Sequence, residues 1–302
     1  EIMVGDWSSD VCSSDLQPPP AFAAGAPRVL VFTDLSPASD RVLERLADWA
    51  GARGARLLLA FHATERSLPF DDPLARLAQR ARRLARSFGI GASALGHAVL
   101  TPDDVRVLLP RCAIACLALP VPARRRAWQP HDLLACLLHA HQVPVWVLGA
   151  DADPLAARSL CAVPAGPGGS HLLPWAVAVS RPGSPVELLH VADEPTFVAD
   201  APDLAGPAVR EHALRQARVA AYRGLAQSTQ PWADGGVRFE HQVVAGPRED
   251  AIAAQHGERG AGVRVVVGVR APSWRFWRRA PLAERLARRL GGEVLVVPLP
   301  GG

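Results

Sequence analysis

Lysine is absent from the 302 residues: all 33 basic positions are arginine. Schiff-base chemistry and the lysine of a phosphate-binding loop are thereby excluded. Against 29 acidic residues the arginines leave a formal charge of +4 and a pI of about 9.1, a small excess over a long chain, so nucleic acid is not implied as a partner. Cysteine is sparse too. Cys12, Cys112, Cys116, Cys136 and Cys161 form no C-x-x-C and no regular framework, which fits a reduced compartment where cysteine is a small apolar side chain. Proline, arginine or aspartate interrupts every apolar run before about 18 residues, so no transmembrane helix and no membrane partner is expected, and the location expected is cytoplasmic. G-x-S-x-G, H-E-x-x-H and paired-carboxylate constellations are all missing, and an enzyme is not expected.

What is present is a chain 49% hydrophobic and 21% charged, able to bury a full core and long enough for about two domains. Residues 1–27 are set apart from it. Asp6 to Leu16 (DWSSDVCSSDL) resembles a translated sequencing adapter, and Gln17 to Pro27 (QPPPAFAAGAP) reads as a flexible lead-in.

From Arg28 the pattern is strand, turn, helix. Arg28 to Asp34 (RVLVFTD) has buried-strand length and composition; Ser36 can cap a helix with Pro37 at its first position, and Val42, Leu43, Leu46, Trp49 and Ala50 share one face before Gly51 or Gly54. A second apolar run, Arg56 to His62, completes a parallel βαβ unit. Leu74, Leu77, Ala81, Leu84 and Phe88 form a further helical stripe, Gly96 to Leu100 (GHAVL) reads as a third strand, and Asp103 to Leu109 as a short helix. Ala113 to Leu119 and Val143 to Leu148 make five strands, with a helical DLLACLLHAH between them. After a linker at Asp151 to Ala157 the pattern restarts with strands at Arg158 to Val163, Val186 to Val191, Phe239 to Val244, Val263 to Gly268 and Glu293 to Val297. The two similar halves are 28–150 and 158–298, the second longer in its middle by roughly eighteen residues, placed around Glu194 to Ala208. The apolar last strands, Val145 to Leu148 and Val294 to Val297, are expected to join the halves as an internal pseudo-dimer.

The order and spacing of Phe32-Thr33-Asp34 with Ser36 and Ser39, then Gly246-Pro247 before a helix containing Ile252, Val265-Val266-Val267-Gly268, Ala283-Glu284-Arg285-Leu286 and Val294 to Pro298, resemble the universal stress protein family in tandem form, as found in bacteria. The resemblance implies α/β architecture: two doubly wound, flavodoxin-like (adenine-nucleotide alpha-hydrolase-like) domains with five-stranded parallel sheets of order 3-2-1-4-5 and ligand sites at the carboxyl ends of strands one and four. In ATP-binding relatives a loop G-x-x-G-x9-G-[S/T] follows strand four, its glycines letting backbone amides reach phosphate. Here Gly268 keeps the first glycine, while Ala271, Ala280 and Pro281 replace the other glycines and the hydroxyl residue; the first half has Pro120-Val121-Pro122-Ala123 instead. Asp34 holds the acidic position that contacts the nucleoside in ATP-binding relatives, and Pro164 stands there in the second half. Asp34 either touches a nucleotide or braces the strand-to-helix turn. Both loops read as degenerate, so no cofactor is expected and ATP is the alternative. What the family resemblance then implies is a stress-response regulatory or interaction module that meets a protein partner or itself.

Arg124-Arg125-Arg126 beside Trp128, and Arg275, Arg278 and Arg279 beside Trp274, Phe276 and Trp277, either bind an anion or partner or form solvated loops. A metal site at His131, His139 and His141 is not expected, because no carboxylate or cysteine stands in register. Gly166-Pro167-Gly168-Gly169-Ser170 follows a strand and opens a helix, but it reads as a permissive turn, lacking both G-x-G-x-x-G order and a lysine. A third reading, a relative of the electron-transfer flavoproteins, would share the fold only.

Overall fold

The computed structural model describes residues 26–62, 71–96, 102–121, 137, 143–149, 158–164, 167–181, 183–192, 206–260, 262–269, 282–290 and 293–299. The run RVLVFT forms strand β1 (Arg28–Thr33), buried from Val29 onward because helices cover both faces. Helix α1 (Pro37–Arg53) starts at Ser36, whose hydroxyl accepts the Ser39 N–H at 3.2 Å, and stops at Gly54, which takes the left-handed conformation at φ 64°. Its buried face is the one the sequence marks: Val42, Leu43, Leu46, Trp49 and Ala50. Strand β2 (Arg56–Phe61) lies parallel to β1, and helix α2 (Pro73–Phe88) follows, capped by the Asp72 carboxylate on the Ala75 N–H and closed at Gly89. Leu77, Ala81 and Leu84 of α2 are buried, whereas Phe88 at its end is exposed.

The third strand departs from expectation. Strand β3 is Gly91–Ala94, parallel to β2, and not Gly96 to Leu100, of which residues 97–100 lie outside the described residues. The chain turns straight back into the sheet after Gly89, and Gly-Ala-Ser-Ala offers no β-branched or aromatic side chain to announce a strand.

Helix α3 (Pro102–Arg111) leads to β4 (Ile114–Val121), and β5 (Val145–Gly149) pairs parallel with it. The helical DLLACLLHAH segment lies outside the described residues except for Leu137, which is helical and buried. Then come β6 (Arg158–Ala162), a 3-10 turn at Pro167–Leu172, the short helix α4 (Leu173–Val179) and β7 (Val186–Ala192). Helix α5 (Pro207–Asp234) leads to β8 (Phe239–Ala245), helix α6 (Arg248–Arg259) to β9 (Val263–Val269), and helix α7 (Leu282–Leu290) to β10 (Val294–Pro298). Of the stretch Glu194 to Ala208, where the extra length is expected as a loop, residues 194–205 lie outside the described residues; α5 begins at Pro207 and has 28 residues against 16 in α2.

Two separate five-stranded sheets do not form. The ten strands make one sheet, in the order β3-β2-β1-β4-β5-β10-β9-β6-β7-β8. Neighbours are parallel except at the centre, where β10 runs antiparallel to β5 with Val147 opposite Val294, Trp146 opposite Leu295 and Val145 opposite Val296. Both strands are apolar and buried, and pairing satisfies edges that would otherwise be exposed. One apolar cluster packs α1, α2, α4 and α5 on one face of the sheet, and a second packs α3, α6 and α7 on the other.

Side chains lock this central seam. The Trp49 ring stands edge-on to Trp146 at 5.3 Å, and the Arg264 guanidinium lies 5.4 Å over the Trp146 ring. Glu293, at 5% exposure, meets Arg264 at 2.8 Å and Arg45 at 3.5 Å, whose own side chains are only 12% and 11% exposed. The last carbonyls of α4 are capped from elsewhere in the chain: Trp49 Nε1 donates to Ala178 at 3.1 Å, Arg53 to Val177 at 3.0 Å and to Ser180, and Arg264 to Val179. Cations at a helix C-terminus complement its dipole.

Candidate functional site

In an open α/β sheet, ligands meet the carboxyl ends of strands where the order reverses. Two such places exist here, beside β1 and β4 and beside β6 and β9.

At the first, the turn Thr33-Asp34-Leu35-Ser36 is held by its own side chains. Asp34 Oδ1 accepts the Ser36 N–H at 3.0 Å and the Ser39 hydroxyl at 2.6 Å, and Thr33 Oγ1 accepts the Leu35 N–H at 3.0 Å. Leu35 takes φ 63°, a left-handed conformation costing a leucine about 1 kcal/mol. Its buried side chain offsets that cost, and Arg80 Nη2 donates to its carbonyl at 3.0 Å. Arg80 reaches across from α2 and is fixed there by a two-pronged bond to Asp40, at 2.6 and 3.0 Å. Nothing local in the sequence marks Arg80, because its partners lie 40 and 45 residues away.

Burial pushes the Asp34 carboxyl up, but the hydrogen bonds from Ser36 and Ser39 together outweigh it and hold the group below its ordinary value. A carboxyl depressed in the folded state stabilises above its unfolded pKa, and that contribution fades as pH falls through the folded one. The stability gap between the parent protein and Asp34→Asn is therefore expected in full at neutral pH and to close as pH drops below about 4. Urea titrations at a series of pH values check it; a gap independent of pH would show that the charge does not act on this turn.

At the second place, the crevice between the carboxyl ends of β6 and β9 measures about 20 Å³, lined by Val163, Pro164, Val191, Arg248, Ile252 and Gly268 among others. That is room for one water, whereas small-molecule pockets usually hold roughly 300–1,000 Å³. Gly268 has a packing reason to lack a side chain. A Cβ there would lie 2.7 Å from Leu299 Cδ1 and 2.9 Å from its Cγ, and the residue's φ is not one that demands glycine. Gly169 is similar, since a Cβ would come within 2.6 Å of Val163 Cγ1, so this glycine of the PAGPGGS turn lets the chain pack on the end of β6.

Arg275, Arg278 and Arg279, with Trp274, Phe276 and Trp277, lie outside the described residues, as do Arg124 to Arg126, Trp128, His131, His139, His141, Ala271, Ala280 and Pro281. No group of three or more potential metal ligands occurs among the described residues. Cys116 and Cys161 are buried free thiols; burial pushes Cys116 up to about 12 and Cys161 upward as well, so both are apolar filling rather than nucleophiles. No helix among the described residues is long and apolar enough to cross a membrane.

No protein-family model matches the sequence, and no curated protein matches it. Solved structures do share the fold. A universal stress protein from Archaeoglobus fulgidus superposes with a TM-score of 0.62 at 18% identity, over 90% of this chain and 96% of that one. A functionally unknown protein from Pseudomonas aeruginosa gives 0.60 at 17% identity, over 90% and 92%. A third chain, also from Pseudomonas aeruginosa and bearing the universal stress protein name, gives 0.59 at 16%, over 90% and 93%. The chain has the universal stress protein fold.

Proposed function

We propose that this chain is a tandem universal stress protein, two fused copies of the domain at 28–150 and 158–298, acting in the cytoplasm as a stress-response regulatory or protein-interaction module. It is neither an enzyme nor a nucleotide carrier. The observation behind this reading is the crevice at β6 and β9, where about 20 Å³ stands in place of a nucleotide-sized pocket. The Asp34 turn supports it, because one carboxylate oxygen there is already committed to Ser36 and Ser39.

ATP titrated into the full chain by calorimetry, with and without Mg²⁺, tests it. No heat and no rise in melting temperature are expected at millimolar ATP, since a ligand of the native state must raise the midpoint. Micromolar binding abolished by Asp34→Ala would establish the alternative, a nucleotide binder using the first half. Binding that survives Asp34→Ala but is lost in Arg275→Ala/Arg278→Ala/Arg279→Ala would assign an anionic ligand to the second.

A further inference from the structure

Helix α5 runs about 42 Å, whereas the seven-residue strands β7 and β8 that it connects span about 23 Å. Its anchorage lies in its last third, where Leu225 and Thr229 are buried and Trp232 packs on the core. Upstream, among the described side chains from 208 to 224, Ala213 alone is buried. The outward face there is long and chemically one-sided. Val219 and Tyr222, one turn apart, are 46% and 43% exposed. Arg215 and Arg223 stand four residues to either side of Val219, and Arg218 four before Tyr222, which makes all five neighbours on the helix surface.

From His212 to Ala233 the helix holds these three arginines and no carboxylate. Arg215 pairs with Glu211 at 2.8 Å, an exposed pair of little worth, while among the described residues Arg218 and Arg223 have no hydrogen-bond or ion-pair partner. In the arginine-rich α2, by comparison, Arg80 and Arg83 are paired with Asp40 and Glu44 of α1.

We propose that this face of α5 docks an acidic amphipathic helix of a partner protein, Val219 and Tyr222 receiving its apolar side chains and Arg218 and Arg223 its carboxylates. Tyrosine and arginine are the residue types that dominate binding energy at interfaces, and the guanidinium fork matches a carboxylate in two bonds. The proposal rests on the reading of the chain as an interaction module and names that module's surface.

Tyr222 is the only tyrosine in the chain, so fluorotyrosine labelling of the full protein places a single fluorine NMR reporter on this face. The probes are a synthetic helical peptide with leucines on one face flanked by glutamates, and its counterpart with glutamine for every glutamate. The Tyr222 resonance is expected to shift and saturate with the glutamate peptide and to respond at least tenfold more weakly to the glutamine one. In Arg218→Glu/Arg223→Glu, whose exposed sites leave the melting temperature unchanged, the affinity is expected to fall at least tenfold. A resonance unmoved by millimolar peptide, or a shift indifferent to either charge change, overturns the proposal. A shift that depends on the protein's own concentration without peptide overturns it too, by giving the face to a second copy of the chain. Nucleotide binding seen by calorimetry alongside an intact peptide response would overturn only the account of the strand-end crevices.

Discussion

Glu293→Ala is expected to destabilise the protein by roughly 3–5 kcal/mol, the usual cost of removing one partner from a buried ion pair. The carboxylate sits between Arg264 and Arg45, all three side chains at 12% exposure or less, so its loss leaves two buried guanidinium charges without their counter-ion, although each keeps a backbone carbonyl as acceptor. Arg264 also lies over the Trp146 ring and donates to the end of α4, and the disturbance spreads to the β5–β10 seam. Glu293→Gln keeps an acceptor oxygen for Arg264 and should cost less. Urea unfolding of the three proteins at neutral pH measures the difference. A loss below about 1 kcal/mol for Glu293→Ala would mean that the two arginines find other acceptors and that the cluster does not hold the seam.

Gly268→Ala is expected to cost roughly 1–3 kcal/mol, the penalty of overpacking a filled core by one methyl. The new Cβ would lie 2.7 to 3.0 Å from three atoms of Leu299, a buried side chain whose backbone N–H is fixed to the Val269 carbonyl at 2.8 Å. In a Leu299→Ala background the same change should cost nothing measurable, since the three atoms are gone, and thermal midpoints of the four proteins close the cycle. A Gly268→Ala protein as stable as its parent would sink the steric account and return this glycine to the list of residues available to a ligand.

Elements that announce themselves locally were readable from the chain alone. Ser36, Pro37 and Gly54 mark both ends of α1, and the runs at Arg28 and Val263 mark strands buried on both faces. The small-residue strand β3 was not, because Gly91 to Ala94 relies on its neighbour β2 rather than on intrinsic preference. Helix α5 leaves a weak record for a related reason: its first turns bury little, so no apolar stripe marks them, and Pro231 near its end reads as a terminator although the helix passes through it. At the site, the bracing of the turn by Asp34 rests on the positions of Ser36 and Ser39 around one oxygen, which the sequence alone does not give. The left-handed Leu35 and the reach of Arg80 depend on contacts between separate helices, which spacing along the chain cannot encode. Gly268 matched a motif position by sequence, and only the three-dimensional path of β10 shows which side chain fills the space beside it.

The antiparallel join of β5 to β10 also bears on how this molecule could change over generations. Where two identical chains meet across such an edge, every substitution is made twice and must suit both sides at once. Here each side of the seam has its own codons. Asp34 at the end of β1 and Pro164 beyond β6, or the 16 residues of α2 and the 28 of α5, can drift apart while the sheet between them stays whole. On the proposed reading of the halves as fused copies, covalent linkage makes asymmetry heritable, and one end of the molecule can acquire a task that the other never has to share.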